Sequence, residues 1–385
     1  MQSAQYEGSI SRTDAIQFIE ATGDSMREVL HEAQTLRHSR TGNIITYSRK
    51  VFIPLTRLCR DRCAYCTFAH EPKDSEPFGL NKDEVLAIAR AGERAGCKEA
   101  LFSLGDKPEL RYPQYRLWLQ HQGYASTIDY LRTMCELVVT KTGLLPHTNA
   151  GVLSESEIEQ LRPFNASMGM MLEQTSTRLL APCQAHYQCP DKVPAVRLKT
   201  LEAAGKMGVP FTTGILIGIG ETSDERVDSL LAIYDLHKRY GHIQEVIIQN
   251  FRAKAGTPFS FHPEPDLLET IRTAAIARLI FGPEMNIQVP PNLSEHNYGS
   301  LLSAGINDWG GISPVTPDFI NPEAAWPQIS ELRAITHQAG CQLRERLTVY
   351  PEYLKTPTWV PEALRLHAEQ WLDPSYLVSS EKEGR

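Results

Sequence analysis

The chain has 385 residues, of which 42% are hydrophobic and 22% are charged, and its formal net charge is −7. This composition is typical of a globular protein with a large core, and the acidic balance provides no broad basic surface for nucleic acid. No apolar run approaches the roughly 20 residues of a membrane span, and the polar first residues do not resemble a signal peptide, so we expect a cytoplasmic protein.

Apolar, strand-like runs alternate with amphipathic helical stretches along most of the chain. The predicted strands lie at 50–55, 99–104, 144–150, 167–172, 211–218, 245–251, 286–290 and 306–311. The predicted helices lie at 81–96, 125–141, 154–161, 193–207, 223–239, 266–280 and 294–303. Asn81, Ser154 and Ser223 are the expected N-caps, and Gly208 and Gly241 are the expected helix stops.

This alternation predicts a parallel sheet that is covered by helices. Eight strand–helix units fit a TIM-like (β/α)8 barrel, and a doubly wound open sheet is the alternative. Polar residues follow many of the strands, which favours a barrel with its site at the carboxyl ends of the strands. We therefore predict an N-terminal helical extension over 1–45, the barrel over 46–325, and a C-terminal helical extension and tail over 326–385.

Eight cysteines are too few for a disulfide framework, but Cys59, Cys63 and Cys66 share one short loop after the first strand. A structural zinc site takes four protein ligands, so this C-x3-C-x2-C trio is incomplete as a zinc site. On a four-iron cluster, three thiolates leave one iron open, and S-adenosylmethionine (SAM) can chelate it. The missing ligand therefore favours a cluster that binds SAM, and a zinc loop supplemented from 183–189 is the alternative.

The cysteine motif, with Tyr65 before its last cysteine, resembles the signature of the radical SAM superfamily. This resemblance implies one 4Fe–4S cluster per chain, bound SAM, and reductive cleavage of SAM to a 5′-deoxyadenosyl radical. Residues 105–108 resemble the segment that holds the SAM amino group, although most members have Gly-Gly-Glu there. Residue 173 resembles the polar residue that reaches the ribose or amino acid end, and 214–222 resembles the strand near adenine. The implied cofactor-binding residues are Tyr65, Gly105, Asp106, Glu173, Gly218 and Glu221.

A finer resemblance is to the deazaflavin-forming subfamily that includes FO synthase subunit 1. It rests on the stretches 46–68, 101–109, 190–198, 212–222, 249–254 and 307–323. It implies a carbon–nitrogen lyase that cyclises 5-amino-5-(4-hydroxybenzyl)-6-(D-ribitylimino)-5,6-dihydrouracil to 7,8-didemethyl-8-hydroxy-5-deazariboflavin and releases ammonia. The implied partners are FO synthase subunit 2, acting separately or in a complex, and an electron donor such as ferredoxin or flavodoxin.

Polar residues at the predicted strand ends could bind the uracil edge and ribityl tail of such a substrate. They are Asn149, Gln249, Asn250, Asn292 and Asp308, with Trp309 and Phe251 as stacking candidates. For any one of the polar residues, a structural hydrogen bond at the barrel rim is the alternative role.

His147 and His186 are candidate proton-transfer residues for ammonia loss, because histidine titrates near neutral pH. An interior position is the alternative for His147, and a second metal site with Cys183 and Cys189 is the alternative for His186. Two alternatives remain for the whole chain: a sister radical SAM enzyme, namely the partner subunit or a menaquinone-pathway enzyme, and a zinc-stabilised protein without catalytic activity.

Overall fold

Eight parallel strands close into a barrel in the computed structural model, which describes residues 10–73, 77–294 and 297–383. The strands are β1 (Ile44–Pro54), β2 (Glu99–Ser103), β3 (Leu145–Asn149), β4 (Ser167–Gly169), β5 (Phe211–Ile217), β6 (Ile243–Asn250), β7 (Asn286–Gln288) and β8 (Asp308–Ile312). The ring closes because β1 pairs with β2, from Lys50↔Glu99 onwards, and also with β8. The predicted (β/α)8 barrel is confirmed and the open sheet is excluded.

Helices surround this barrel. They are α1 (Arg12–Ile19), α2 (Gly23–Thr41), α3 (Lys82–Arg94), α4 (Pro113–His121), α5 (Thr127–Lys141), α6 (Glu155–Leu161), α7 (Pro194–Lys206), α8 (Ser223–Tyr240), α9 (Leu267–Phe281), α10 (Ile329–Gln338), α11 (Pro351–Leu354) and α12 (Glu362–Glu369). No described helix is long and apolar enough to cross a membrane.

The helix ends largely follow the capping residues in the sequence. Asn81 and Ser154 form capping boxes, in which the side chain accepts a hydrogen bond from the third residue of the helix. Gly241 ends α8 with a left-handed φ of 68°, as predicted. The N-cap expected at Ser223 is wrong by one residue, because Thr222 accepts the Glu225 N–H and forms the capping box instead.

Two predicted elements differ in type or length. The helix predicted at 294–303 is a short 3-10 helix at Tyr298–Ala304. Residues 295 and 296 of that prediction lie outside the described part of the chain. Residues 1–9 and 384–385 of the predicted extensions also lie outside it. Strand β4 ends at Gly169, three residues before the predicted end at 172, and its pairing with β5 resumes at a single bridge between Glu173 and Ile215, where Glu173 has a left-handed φ of 64°.

A ninth strand, β9 (Gln342–Arg346), lies in the C-terminal region for which only helices were predicted. It pairs in parallel with the first half of β1, from Ile44↔Gln342 to Ser48↔Arg346. The chain then covers the amino-terminal end of the barrel, where the Thr348 carbonyl accepts hydrogen bonds from Ser167 and Gln244, both at 3.1 Å. One end of the barrel is thereby closed, so the opposite end is the one available for a ligand.

A buried ion-pair cluster fastens this cover to the barrel. Arg346 contacts Asp308 at 2.6 Å and Glu245 at 3.3 Å, and Tyr350 donates to Glu245 at 2.7 Å. The sequence predicts Asp308 at the carboxyl end of its strand, and this is wrong: Asp308 is the first residue of β8. Its carboxylate is engaged by Arg346 at the closed end, so it is a structural residue.

Candidate active site

A cavity of about 300 Å³ lies at the carboxyl ends of the strands. It has largely apolar walls with a few polar groups, as small-molecule sites usually do. The residues that line its interior include Lys50, Phe52, Leu101, Ser103, Asn149, Met170, Gln249, Gln288, Trp309 and Trp326. The loop that carries Cys59, Cys63 and Cys66 forms one side of the same cavity.

The cysteine loop is held against the end of β2 by a close backbone approach. A Cβ at Gly105 would lie 1.9 Å from the Leu58 carbonyl oxygen and 2.6 Å from Cys59 Cβ, so only glycine fits. The next residue, Asp106, donates its backbone N–H to Cys59 Sγ at 3.2 Å. The Gly105–Asp106 pair therefore positions the first cysteine of the motif.

The three thiols suit a cluster better than a single ion. Among the described residues, no three Cys, His, Asp or Glu side chains converge closely enough to bind one metal ion. On an iron–sulfur cluster each thiolate binds a different iron, so the sulfurs stand further apart. Burial raises the pKa of Cys59 and Cys66, so iron binding would release their protons. A set of three thiols on one loop fits a 4Fe–4S cluster that keeps one iron without a protein ligand.

The later loop, 183–189, does not form a second metal site within the described structure. Cys183 is exposed, and His186 is buried with its Nε2 3.0 Å from Glu173. Cys189 Sγ lies 3.8 Å from Cys63 Sγ, which makes it a neighbour of the motif. The three side chains therefore point to different surroundings.

Glu173 is the centre of a buried polar network beside the cysteines. Its carboxylate contacts Lys192, accepts a hydrogen bond from the Tyr65 hydroxyl, and lies 3.9 Å from Arg197. Burial alone would raise the pKa of Glu173, but Lys192, His186 and Arg197 hold it well below its usual value. Burial also lowers the pKa of His186, which favours its neutral form. The network fixes an anionic carboxylate at the cavity wall.

Two of the predicted substrate residues line the cavity. Asn149 and Gln249 face it together with Gln288, and within the described chain their side chains have no hydrogen-bond partner. Asn250 instead donates to the Leu293 carbonyl at 2.9 Å and lines an adjoining pocket of about 40 Å³. Asn292 lines neither pocket and donates to the Asp318 carboxylate at 3.1 Å.

The remaining predicted residues lie near the cavity or behind its wall. Trp309 borders it, but its indole is fully buried, packs on Tyr298 and donates from Nε1 to Thr336 at 3.0 Å. Phe251 lines the smaller pocket. His147 is an interior residue whose Nδ1 is 2.7 Å from Ser167 Oγ, and burial lowers its pKa to about 3. Of the two roles considered for His147, the structure favours the interior one.

Gly218 and Glu221 form a turn after β5 and do not line the cavity. The Glu221 carboxylate accepts the Gly218 N–H at 2.7 Å and the Ile219 N–H at 2.9 Å. A Cβ at Gly218 would lie 2.4 Å from Pro265, and its φ is +88°. These contacts explain the residue types through the turn itself, and a role in SAM binding stays a prediction.

Four charged residues of the site were not predicted from the sequence, namely Lys50, Lys192, Arg197 and Asp318. The position of Lys50 carries a signal, since a lysine two residues before Phe52 shares its side of a strand and both line the cavity. Lys192 and Arg197 come from a loop and helix far along the chain, so only the folded structure shows that they meet Glu173.

Residues 53–233 match the radical SAM superfamily. The chain is 48% identical over 379 residues to an FO synthase of Nocardia farcinica, covering 95% of this chain and 44% of that protein. It is 52% identical over 312 residues to a 7,8-didemethyl-8-hydroxy-5-deazariboflavin synthase of Methanopyrus kandleri, covering 81% of this chain and 93% of that protein. The FeFe-hydrogenase maturase HydG of Carboxydothermus hydrogenoformans has a similar fold, with a TM-score of 0.71 at 17% identity over 94% of this chain and 86% of that chain.

The fold, the cysteine loop and these matches define a radical SAM protein, a superfamily whose members use a 4Fe–4S cluster and SAM. Within that superfamily, the chain belongs to the family of 7,8-didemethyl-8-hydroxy-5-deazariboflavin synthases. It spans less than half the length of the FO synthases that it matches.

Proposed function

We propose that the chain cyclises 5-amino-5-(4-hydroxybenzyl)-6-(D-ribitylimino)-5,6-dihydrouracil to 7,8-didemethyl-8-hydroxy-5-deazariboflavin and releases ammonia, as a carbon–nitrogen lyase. The observation behind this proposal is the 52% identity to the Methanopyrus kandleri synthase over 93% of its length. The cysteine loop at the wall of a ligand-sized cavity supports it, because the cluster and the substrate can then face each other.

Cys59, Cys63 and Cys66 would hold the cluster, which supplies the electron that cleaves SAM to a hydrogen-abstracting radical. The chain's own residues bind and orient. Gly105 and Asp106 hold Cys59 in place through close packing and the backbone N–H. These contacts keep the cysteine loop at the edge of the cavity.

Glu173 and Tyr65 stand beside the cysteines and are proposed to bind SAM. The anionic carboxylate is suited to the ribose hydroxyls or the amino group of SAM, because both donate hydrogen bonds. Lys192 and Arg197 keep Glu173 ionised, and Tyr65 is fixed by its hydrogen bond to that carboxylate.

Asn149 and Gln249 are proposed to bind the substrate. An amide side chain offers both a donor and an acceptor, which matches the edge of a uracil ring, and neither amide has a partner within the described chain. FO synthase subunit 2 would supply the adduct, and a ferredoxin or flavodoxin would supply the electron.

The test is anaerobic incubation of the iron- and sulfide-reconstituted protein with SAM, dithionite and the synthetic adduct. The proposal predicts fluorescent deazaflavin, ammonia and 5′-deoxyadenosine. SAM cleavage that yields no deazaflavin from the adduct would refute the assigned reaction. As a matched pair, Gln249→Leu raises the KM for the adduct by about 10-fold or more, whereas Gln338→Leu at the exposed end of α10 leaves it unchanged.

A further inference from the structure

Lys50 reaches the cavity by passing over Gly311, where no side chain blocks its path. It lies in the middle of β1, and its side chain crosses the backbone of Gly311 on the neighbouring β8. A Cβ at Gly311 would lie 2.3 Å from Cδ, 2.4 Å from Cε and 2.6 Å from Nζ of Lys50. Any residue larger than glycine at 311 would therefore displace the Lys50 side chain from this position beside the cavity.

The Lys50 amine lies among aromatic rings and has no direct ionic partner. Its Nζ is 5.6 Å from the ring centroid of Phe52 and 5.4 Å from that of Trp326. No residue in the described ranges donates to it, accepts from it or forms an ion pair with it. An amine that lines a cavity without a partner is available to a ligand.

The charged and titratable groups that face Lys50 come from five elements. They are Glu99 on β2, His147 on β3, Glu245 on β6, Asp318 after β8 and Arg346 on β9. Two of the carboxylates are bound elsewhere: Glu245 by Arg346 at 3.3 Å, and Asp318 by Asn292 at 3.1 Å. Burial outweighs these charges and lowers the pKa of Lys50, which brings a neutral amine closer to working pH.

The proposed reaction needs a group of this kind. Ammonia loss breaks the bond between C5 of the uracil ring and its amino nitrogen, and the electron pair leaves with the nitrogen. The adjacent benzylic carbon gives up a proton, and its C–H electron pair becomes the new carbon–carbon double bond. The step is redox-neutral, and one amine can serve both positions because the two carbons are bonded to each other.

We propose that Lys50 is the catalytic acid–base residue for ammonia release, an inference that rests on the proposed function. Neutral Lys50 takes the benzylic proton and, as an ammonium, delivers it to the departing nitrogen, so that the lysine ends unchanged. Cation–π contact with Phe52 and Trp326 stabilises the ammonium between the two transfers.

The test compares Lys50→Met with Lys141→Met, a lysine at the exposed end of α5, in the anaerobic assay with adduct, SAM and dithionite. In Lys50→Met, iron content and 5′-deoxyadenosine formation stay at wild-type level. Deazaflavin appears at least about 100-fold more slowly, in the range of general acid–base catalysis. Mass spectrometry then finds a product that is heavier than the deazaflavin by one ammonia. Lys141→Met behaves as wild type.

Added ethylamine separates catalysis from packing. It restores deazaflavin formation in Lys50→Met, with a rescue rate that rises with pH as more of the amine is neutral. Gly311→Ala, which displaces the lysine without removing it, slows deazaflavin release at wild-type 5′-deoxyadenosine formation. The inference would be overturned if Lys50→Met formed deazaflavin at the wild-type rate. It would also be overturned if Lys50→Met and Gly311→Ala both lost 5′-deoxyadenosine formation and ethylamine restored neither. Failure of the wild type to convert the adduct would instead refute the proposed function.

Discussion

The contact between Gly105 and the cysteine loop predicts that Gly105→Ala impairs cluster assembly while the barrel stays folded. The added Cβ would lie 1.9 Å from the Leu58 carbonyl oxygen, and Cβ contacts below 3.0 Å are essentially never seen, so the loop must move by about 1.1 Å, the difference between the two distances. The obstacle is backbone, which cannot rotate away as a side chain can. Overpacking of this kind costs about 1–3 kcal/mol.

The displacement acts directly on a cluster ligand. The same Cβ would lie 2.6 Å from Cys59 Cβ, and moving Cys59 also breaks the hydrogen bond from the Asp106 N–H to its sulfur. Metal sites depend on ligand positions to within a few tenths of an ångström. We therefore expect iron binding to fall well below half of the wild-type value.

The assay is anaerobic reconstitution followed by iron and sulfide determination, with urea unfolding of the same samples. Gly143→Ala is the matched control, because the nearest atom to its added Cβ is a Glu93 carboxylate oxygen at 3.2 Å, the end of a flexible side chain. Full iron uptake by Gly105→Ala at wild-type stability would show that Gly105 does not position the cysteine loop.

Three further predictions concern SAM binding and the stability of the barrel. Glu173→Gln weakens SAM binding by about 10- to 100-fold in anaerobic calorimetry, because a charge-assisted hydrogen bond is lost; an unchanged affinity would contradict this. Asp308→Asn leaves Arg346 short of a partner and lowers the free energy of unfolding by about 3 kcal/mol, with SAM affinity unchanged; equal denaturation midpoints would argue against it. Lowering the pH from 7 to 5 destabilises the protein by about 2 kcal/mol through His147 alone, because the pKa of His147 is about 3 when folded and near 6.5 when unfolded, so that only the unfolded chain binds the extra proton. In urea unfolding across this pH range, His147→Asn should lose this contribution to the free energy of unfolding. An identical dependence on pH in wild type and variant would exclude it.

The barrel and its cluster loop were predictable from the sequence because their signals are local. Alternating apolar runs set the strands, and the three cysteines lie within eight residues. Asn149 and Gln249 were found because each lies near the end of a predicted strand, β3 and β6 respectively.

Structural features that depend on buried ion pairs were not predicted from the sequence. Strand β9 has the sequence QLRER, in which Glu345 and Arg346 are buried by ion pairs with distant residues, so no apolar pattern marks it. Asp308 was misplaced for the same reason: an aspartate beside an apolar run suggests a strand end, and only its long-range partner Arg346 explains its burial. The spacing of Lys50 from Phe52 places both on one side of β1, but only the folded structure shows Gly311 on β8 next to the lysine side chain.

Mössbauer spectroscopy of the anaerobic, iron-reconstituted protein distinguishes iron sites by their ligands, so it can detect a cluster with one iron that no cysteine binds. Three thiolates on a four-iron cluster predict one iron site that differs from the other three and changes its isomer shift when SAM is added. Four equivalent irons whose isomer shifts do not change when SAM is added would contradict a cluster with one open iron. Binding of zinc in place of iron would contradict it as well.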